Sequence, residues 1–174
     1  ASTPAARNLL DYYKLISKKI GLHANDGTNI LYNQLNKISF VDKNTVLARY
    51  IEPQKIYVKS PKDTVIFPFG CNLSQMTAVS NAVANKISII EGPPGTGKTQ
   101  TILNIIANAL INGKNVAVVS NNNSATDNVF EKLQKYGFDY IAAQLGSSSN
   151  KADFIENKQS DYPDFSKDIL SNCL

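Results

Sequence analysis

Ile87-Ser88-Ile89-Ile90-Glu91-Gly92-Pro93-Pro94-Gly95-Thr96-Gly97-Lys98-Thr99-Gln100 runs from a short apolar segment, through a glycine-rich loop, into a stretch with helical periodicity. Gly92 to Thr99 matches G-x-x-x-x-G-K-[ST], with the strand-like run before it and the helix after it that the motif demands. Each part has a physical role. Glycines let the backbone wrap an anion without Cβ clashes, and consecutive N–H groups then form an anion-binding nest. The helix that follows adds its positive N-terminal end. Gly92, Pro93, Pro94, Gly95, Thr96 and Gly97 are therefore expected to form the cradle. Lys98 is expected to face the β- and γ-phosphates. Thr99 is expected to offer its hydroxyl to Mg²⁺, and Gln100 is counted with the nucleotide contacts. The four fixed positions would coincide by composition about once per few tens of thousands of positions, so a chance match is set aside.

Working outward, Ile102, Leu103, Ile106 and Leu110 recur at helical spacing, which predicts a helix over Thr99–Asn112 that Gly113 stops. Asn115–Val119 and Tyr140–Leu145 read as strands, with a helix over Ser124–Tyr136 between them. Upstream, Ser74–Asn85 reads as a helix with Ser74 as its N-cap, and Ile87–Ile90 as a strand. Strands alternating with helices predict an α/β fold, a partial parallel sheet with helices on both faces. Ahead of it, Leu9, Tyr13, Ile16 and Ile20 put a helix over Ala5–Ile20. Residues 22–37 stay ambiguous, apart from a turn signal at Asn25-Asp26-Gly27. Ile38–Val41, Thr45–Ile51, Lys55–Val58 and Thr64–Phe67 read as short β runs of a small antiparallel appendage. The expected domains are residues 1–70 and 71–174. Past Gly146, a helical piece near Lys151–Asn157 and a last helix from about Ser166 are expected.

The chain has 174 residues, 43% of them apolar and 18% charged, enough for a buried core without disulfide or metal staples. Cys71 and Cys173 are far apart and His23 is the one histidine, a composition that nearly excludes zinc. No apolar run approaches the length of a membrane span, and residues 1–7 lack a signal-peptide pattern. The expectation is a soluble, reduced, cytoplasmic protein that meets no membrane. Net charge is +4, and its excess lies early. Residues 1–70 hold ten basic and five acidic side chains, against eight and nine in the remainder. That asymmetry suits either a nucleic-acid footprint or a plain solvated surface. Tyr12, Tyr13, Tyr32, Tyr50 and Tyr57 likewise suit either base stacking or packing, and packing is favoured. The abundance of Asn reads as a compositional bias.

Glu91–Thr99 resembles the first motif of superfamily 1 helicases. It is most similar to the branch that includes the nonsense-mediated-decay RNA helicase and bacterial AAA-domain helicase-like proteins. Asn72-Leu73-Ser74-Gln75-Met76-Thr77-Ala78-Val79 resembles that branch's Q motif, N-x-S-Q-x-x-A-V, at the right spacing from Gly92. Val116–Asn128 resembles motif Ia, a strand followed by A-P-S-N-x-A-x-D-N, with Asn121 and Asn122 in place of Pro and Ser. Gln144 stands where relatives often carry Arg. The resemblance covers roughly residues 72–158 and implies a RecA-like lobe. It implies that Gln75 pairs its amide with the N6 and N7 edge of adenine, and that ATP and Mg²⁺ are the cofactors. It also implies that Asn122 and Asn123 approach the backbone of single-stranded DNA or RNA, and that Asn123 and Asp127 hold the motif Ia loop in shape, with Asp127 equally readable as an early-helix carboxylate favoured by the dipole. No Asp-Glu pair follows Leu145. The chain thus reads as an N-terminal piece of a larger ATPase, itself not competent for hydrolysis. Two alternatives stay open: an ATP-driven switch acting on protein partners, and a nucleotide-binding module without turnover.

Overall fold

The computed structural model describes residues 3–21, 23, 24, 26–52, 58–61, 64–146 and 148–158. The expected β run Lys55–Val58, the Ser60–Asp63 turn, Tyr57, Cys173 and the helix from Ser166 lie wholly or partly outside them. The chain divides into two compact units, Ala1–Ser60 with Ala84–Ser88, and Pro61–Val83 with Ile89–Leu174.

The first unit is helical. Helix α1, Pro4–Ile20, starts at Thr3, whose hydroxyl accepts from the Ala6 N–H at 3.3 Å, with Pro4 pre-set for the first turn. Helix α2, Ile30–Asn36, is capped by Asn29, whose Oδ1 accepts from Tyr32 N–H at 3.0 Å. The Asn29 Nδ2 donates to the Ser17 carbonyl at 2.7 Å and so ties the end of α1 to the start of α2. Between them Asp26 makes the turn that the sequence signals. Its carboxylate accepts from Thr28 N–H at 2.8 Å, which holds Asp26 below its ordinary pKa. Helix α3, Val46–Ile51, replaces the β run expected over Thr45–Ile51. Thr45 is its N-cap, accepting from Ala48 N–H at 3.2 Å, and Ala48 and Ile51, three apart, are the residues it buries. The period is therefore three, not two. Ala6, Val41, Ala48 and Ile51 form the core, with Leu9 and Ile38 against it.

The second unit contains α4 (Leu73–Ala84), α5 (Lys98–Ile111), α6 (Asn123–Lys135) and α7 (Ser148–Asp153), plus a 3₁₀ turn at Asp139–Ile141 and a π turn at Phe154–Lys158. Phe69, Leu103, Ile106, Val129 and Leu133 form its core, and the Phe69 ring meets Tyr136 edge-on at 5.0 Å. The cap of α4 is Asn72 rather than Ser74. Asn72 Oδ1 accepts from Gln75 N–H at 2.9 Å, and Gln75 Oε1 accepts from Asn72 N–H at 2.8 Å, a reciprocal capping box.

The α/β expectation is overturned. Among the described residues there is no strand, only one isolated bridge, His23 to Asn29. The segments Ile87–Ile90 and Asn115–Val119 have no regular structure, and Tyr140–Leu145 begins in the 3₁₀ turn. The parallel sheet and the antiparallel appendage are therefore both absent from the described residues. An apolar, β-branched run has strand composition, but a strand exists only through a neighbour's N–H and C=O groups. These runs meet none among the described residues, and Ile89 and Val119 stand 83% and 87% exposed. Val116 and Val118 instead line an open groove of about 630 Å³ with Leu110, Val129 and Leu133. No described helix is long and apolar enough to cross a membrane.

Candidate nucleotide-binding site

The glycine-rich loop is built by two left-handed glycines. Gly95 has φ +84° and Gly97 has φ +77°, conformations that a residue with a Cβ rarely adopts. Gly97 is also the N-cap of α5, and no side chain caps that helix. The first N–H groups of α5 have no acceptor inside the helix by geometry. Together with the positive end of the helix dipole, they form an anion-seeking terminus. Thr96 closes the loop on itself: its hydroxyl donates to the Pro93 carbonyl at 2.9 Å, and its N–H reaches the same carbonyl at 3.4 Å.

Lys98 Nζ curls back over the loop and donates to the carbonyls of Gly92 and Pro93, the latter at 2.8 Å. Its ammonium is thus held at the loop and remains exposed. Thr99 follows in the first turn of α5, half-buried, its hydroxyl without a hydrogen bond among the described residues. Pro94 is exposed on the loop.

Gln75 is brought to this loop. Its Nε2 donates to the carbonyls of Thr96 and Gly97, each at 3.2 Å, and approaches Gln100 Oε1 at 3.3 Å. Gln100 in turn donates to the Phe69 carbonyl at 2.6 Å. Motif residues separated by some 20 positions in sequence thereby share one amide network. One carbonyl lone pair of Gln75 is taken by Asn72 N–H, and an amide oxygen has two.

Two site residues escaped the sequence reading. Asn104 Oδ1 accepts from Phe69 N–H at 3.2 Å while its Nδ2 donates to the Gly70 carbonyl at 2.8 Å. One turn further, Asn108 Oδ1 accepts from Ile66 N–H at 3.0 Å and its Nδ2 donates to the Ile66 carbonyl at 2.7 Å. Both side chains are buried, and each mimics the pairing edge of a strand for the segment entering Gln75. The available signal was Gln100, Asn104, Asn108 and Asn112 at intervals of four, a polar stripe on an otherwise apolar helix. Reading Asn as compositional bias concealed it.

The motif Ia residues sit apart from this network. Asn122 caps α6, its Oδ1 accepting from Ser124 N–H at 3.1 Å and from Ser124 Oγ at 2.9 Å. Asn123, exposed, opens the helix and its carbonyl accepts from the Thr126 hydroxyl at 2.8 Å. Gln144 Nε2 donates to the Asp127 carboxylate at 3.4 Å.

Residues 70–162 match a family model described as an AAA domain. The chain is 35% identical over 98 residues to the DNA polymerase alpha-associated DNA helicase A of Schizosaccharomyces pombe, covering 56% of this chain and 15% of that protein. It is 32% identical over 119 residues to the Regulator of nonsense transcripts 1 homolog of Drosophila melanogaster, covering 67% and 10%. It is 49% identical over 63 residues to the mouse DNA-binding protein SMUBP-2, covering 36% and 6%. The matched region is thus 15% or less of each of these relatives. No solved structure matches the chain. With the phosphate-loop motif, the Gln75 motif and these relatives in agreement, the chain belongs to the AAA domain family, in the nonsense-mediated-decay-helicase-like branch of superfamily 1.

Proposed function

We propose that this chain is the ATP-binding part of an ATPase that works on single-stranded DNA or RNA. The observation that carries the reading is the uncapped N-terminus of α5, with left-handed Gly95 and Gly97 before it and the Lys98 ammonium held beside it. Backbone N–H groups of the loop take the phosphate oxygens, and the helix terminus favours their charge. Lys98 exchanges the Gly92 and Pro93 carbonyls for the β- and γ-phosphates, its rotatable stem allowing the swing. The Thr99 hydroxyl fits Mg²⁺, which prefers oxygen ligands and keeps most of its waters. That ion, when bound, neutralises charge on the phosphates.

Gln75 takes the adenine edge through the second lone pair of its carbonyl and through one amide hydrogen released from the loop. Asn122 and Asn123 lie at the exposed start of α6, where amide and N–H groups suit a strand phosphate. Relatives named as a DNA helicase and a DNA-binding protein support the partner class. Phosphate release by these 174 residues alone is expected to stay near background, because no Asp-Glu pair follows Leu145 within them.

The test is calorimetry of Mg-ATP binding to the chain and to Lys98→Ala. Loss of binding in the variant is expected, since no other cation lies in the motif to replace the charge. Equal affinity of parent and variant would refute the assignment. A switch acting on protein partners would differ in one respect: oligonucleotides would leave the ATPase rate of the longer protein unchanged.

A further inference from the structure

The first unit carries a second feature, away from the phosphate loop in sequence and in its own compact body. Residues 1–60 with 84–88 hold ten basic and four acidic side chains, whereas the other unit holds eight and ten. On α1, Tyr12, Leu15 and Lys19 follow one another at intervals of three and four, so they share a face. That face is exposed, Tyr12 at 55%. The Tyr12 and Tyr13 rings lie 6.1 Å apart and tilted by 57°. Tyr13 reaches across to α3, where the Tyr50 hydroxyl, hydrogen-bonded to its own, holds the Tyr13 phenol above its usual pKa. Tyr50 is 65% exposed and follows Arg49. On the α2 side, Lys18 Nζ stands 5.9 Å over the Tyr32 ring. Core packing therefore does not account for Tyr12 and Tyr50. Aromatic rings left in water on a unit with a basic excess are the combination by which proteins stack bases while neutralising phosphates.

We propose that the exposed rings of Tyr12 and Tyr50, with Lys19 two turns along the same face of α1 and Arg49 preceding Tyr50 in α3, form a stacking surface for single-stranded nucleic acid that works without nucleotide. The proposal takes its partner class from the reading above but not its site. Bases lie against the tyrosine faces. The two basic side chains lie along the phosphates. Stacking tolerates any base, because every base has a π face, so little sequence preference is expected.

The chain contains no tryptophan, so its own tyrosine emission reports stacking directly. The probe is an oligothymidylate of about 15 nucleotides, compared with an abasic strand of equal length, in the absence of ATP. Oligothymidylate should quench tyrosine emission and bind more tightly than the abasic strand. Tyr12→Ala and Tyr50→Ala should each weaken it about fivefold or more and leave abasic binding unchanged, while Tyr50→Phe restores the parent affinity. Lys19→Ala should instead flatten the salt dependence for both strands. Equal binding of the two strands, or alanine variants that bind like the parent, overturns the proposal. So does the absence of any strand binding at about 50 mM salt, which would point to a protein partner on this face. Lys98→Ala serves as the independent arm: it should lose ATP and retain the strand, so failure of the phosphate-loop reading is distinguishable from failure of this one.

Discussion

Gln75 Nε2 lies 3.2 Å from the carbonyl of Gly97, the residue that caps α5 in a left-handed conformation. The same amide's oxygen closes the capping box at the start of α4. One side chain thus fixes the start of one helix and the loop before another. A Cβ built at Gly97 would fall 2.2 Å from this nitrogen, closer than real atoms approach. Position 97 therefore needs glycine twice, for its φ and for its neighbour.

Gly97→Ala should accordingly damage the site more than Gly95→Ala. At Gly95 an added Cβ meets nothing within 4 Å, so the substitution carries only the strain of φ +84°, about 1–2 kcal/mol. At Gly97 the same strain is joined by displacement of the Gln75 amide. Thermal melts and ATP titrations of both variants check this, with the larger loss of both stability and affinity expected for Gly97→Ala. Equal losses would mean that the contact with Gln75 is incidental.

Gln75 should also set base choice. Its amide can complement adenine's N6 amino and N7, whereas guanine presents two acceptors, O6 and N7, on the same edge. A mismatch there leaves a polar group unpaired at a cost of about 1–3 kcal/mol, so ATP should bind about tenfold or more tightly than GTP. Gln75→Glu keeps an acceptor for Asn72 N–H but cannot donate to the Thr96 and Gly97 carbonyls. It should weaken ATP binding even where the preference survives. Equal ATP and GTP affinities by calorimetry would remove Gln75 from base reading and leave it a positioning residue for the loop.

What the residues revealed and what they concealed is plain at five places. The motif Gly92–Thr99 stated its own geometry, because glycine and proline constrain φ whatever surrounds them. The helix expected over Ala5–Ile20 was equally plain, since its apolar spacing from Leu9 to Ile20 runs for about three turns, and the helix found is Pro4–Ile20. The absence of strands among the described residues was not legible, because β composition at Asn115–Val119 says what a partner would prefer and not whether one is present. Thr45–Ile51 failed for another reason. Val46, Tyr50 and Ile51 have β propensity, but Thr45 caps the segment and burial falls on Ala48 and Ile51. The Asn stripe of α5 went unread because polar residues on a helix ordinarily face water, while Asn104 and Asn108 face a backbone that needs their hydrogen bonds.

The α3 assignment has a direct test in Thr45→Val. In a strand, valine would be neutral or favourable. As an N-cap, Thr45 accepts from Ala48 N–H, and its removal should cost about 1 kcal/mol. A lowered melting temperature is expected, with a loss of helical circular dichroism on partial melting. An unchanged or raised melting temperature would restore the strand reading of this segment.

Asn104 should be among the most sensitive positions outside the loop. Its side chain is fully buried and serves Phe69 N–H and the Gly70 carbonyl together. Leucine has the same branched four-atom side-chain skeleton and is not smaller, so Asn104→Leu leaves no cavity. It does leave two backbone groups unpaired away from water, at about 1–3 kcal/mol each. Asn112→Ala, at an exposed position one turn beyond Asn108, should change stability by less than about 0.5 kcal/mol. The two variants therefore separate a clamp from a surface amide in one denaturation series. The effect should reach the nucleotide as well. The Phe69 carbonyl also accepts from Gln100 Nε2, and Gln100 meets Gln75. Loosening the segment before α4 should thus free the Gln75 amide from the phosphate loop. Asn104→Leu is expected to lose ATP affinity even at temperatures where circular dichroism shows it fully folded. Parent-like affinity under those conditions would confine Asn104 to a purely structural role.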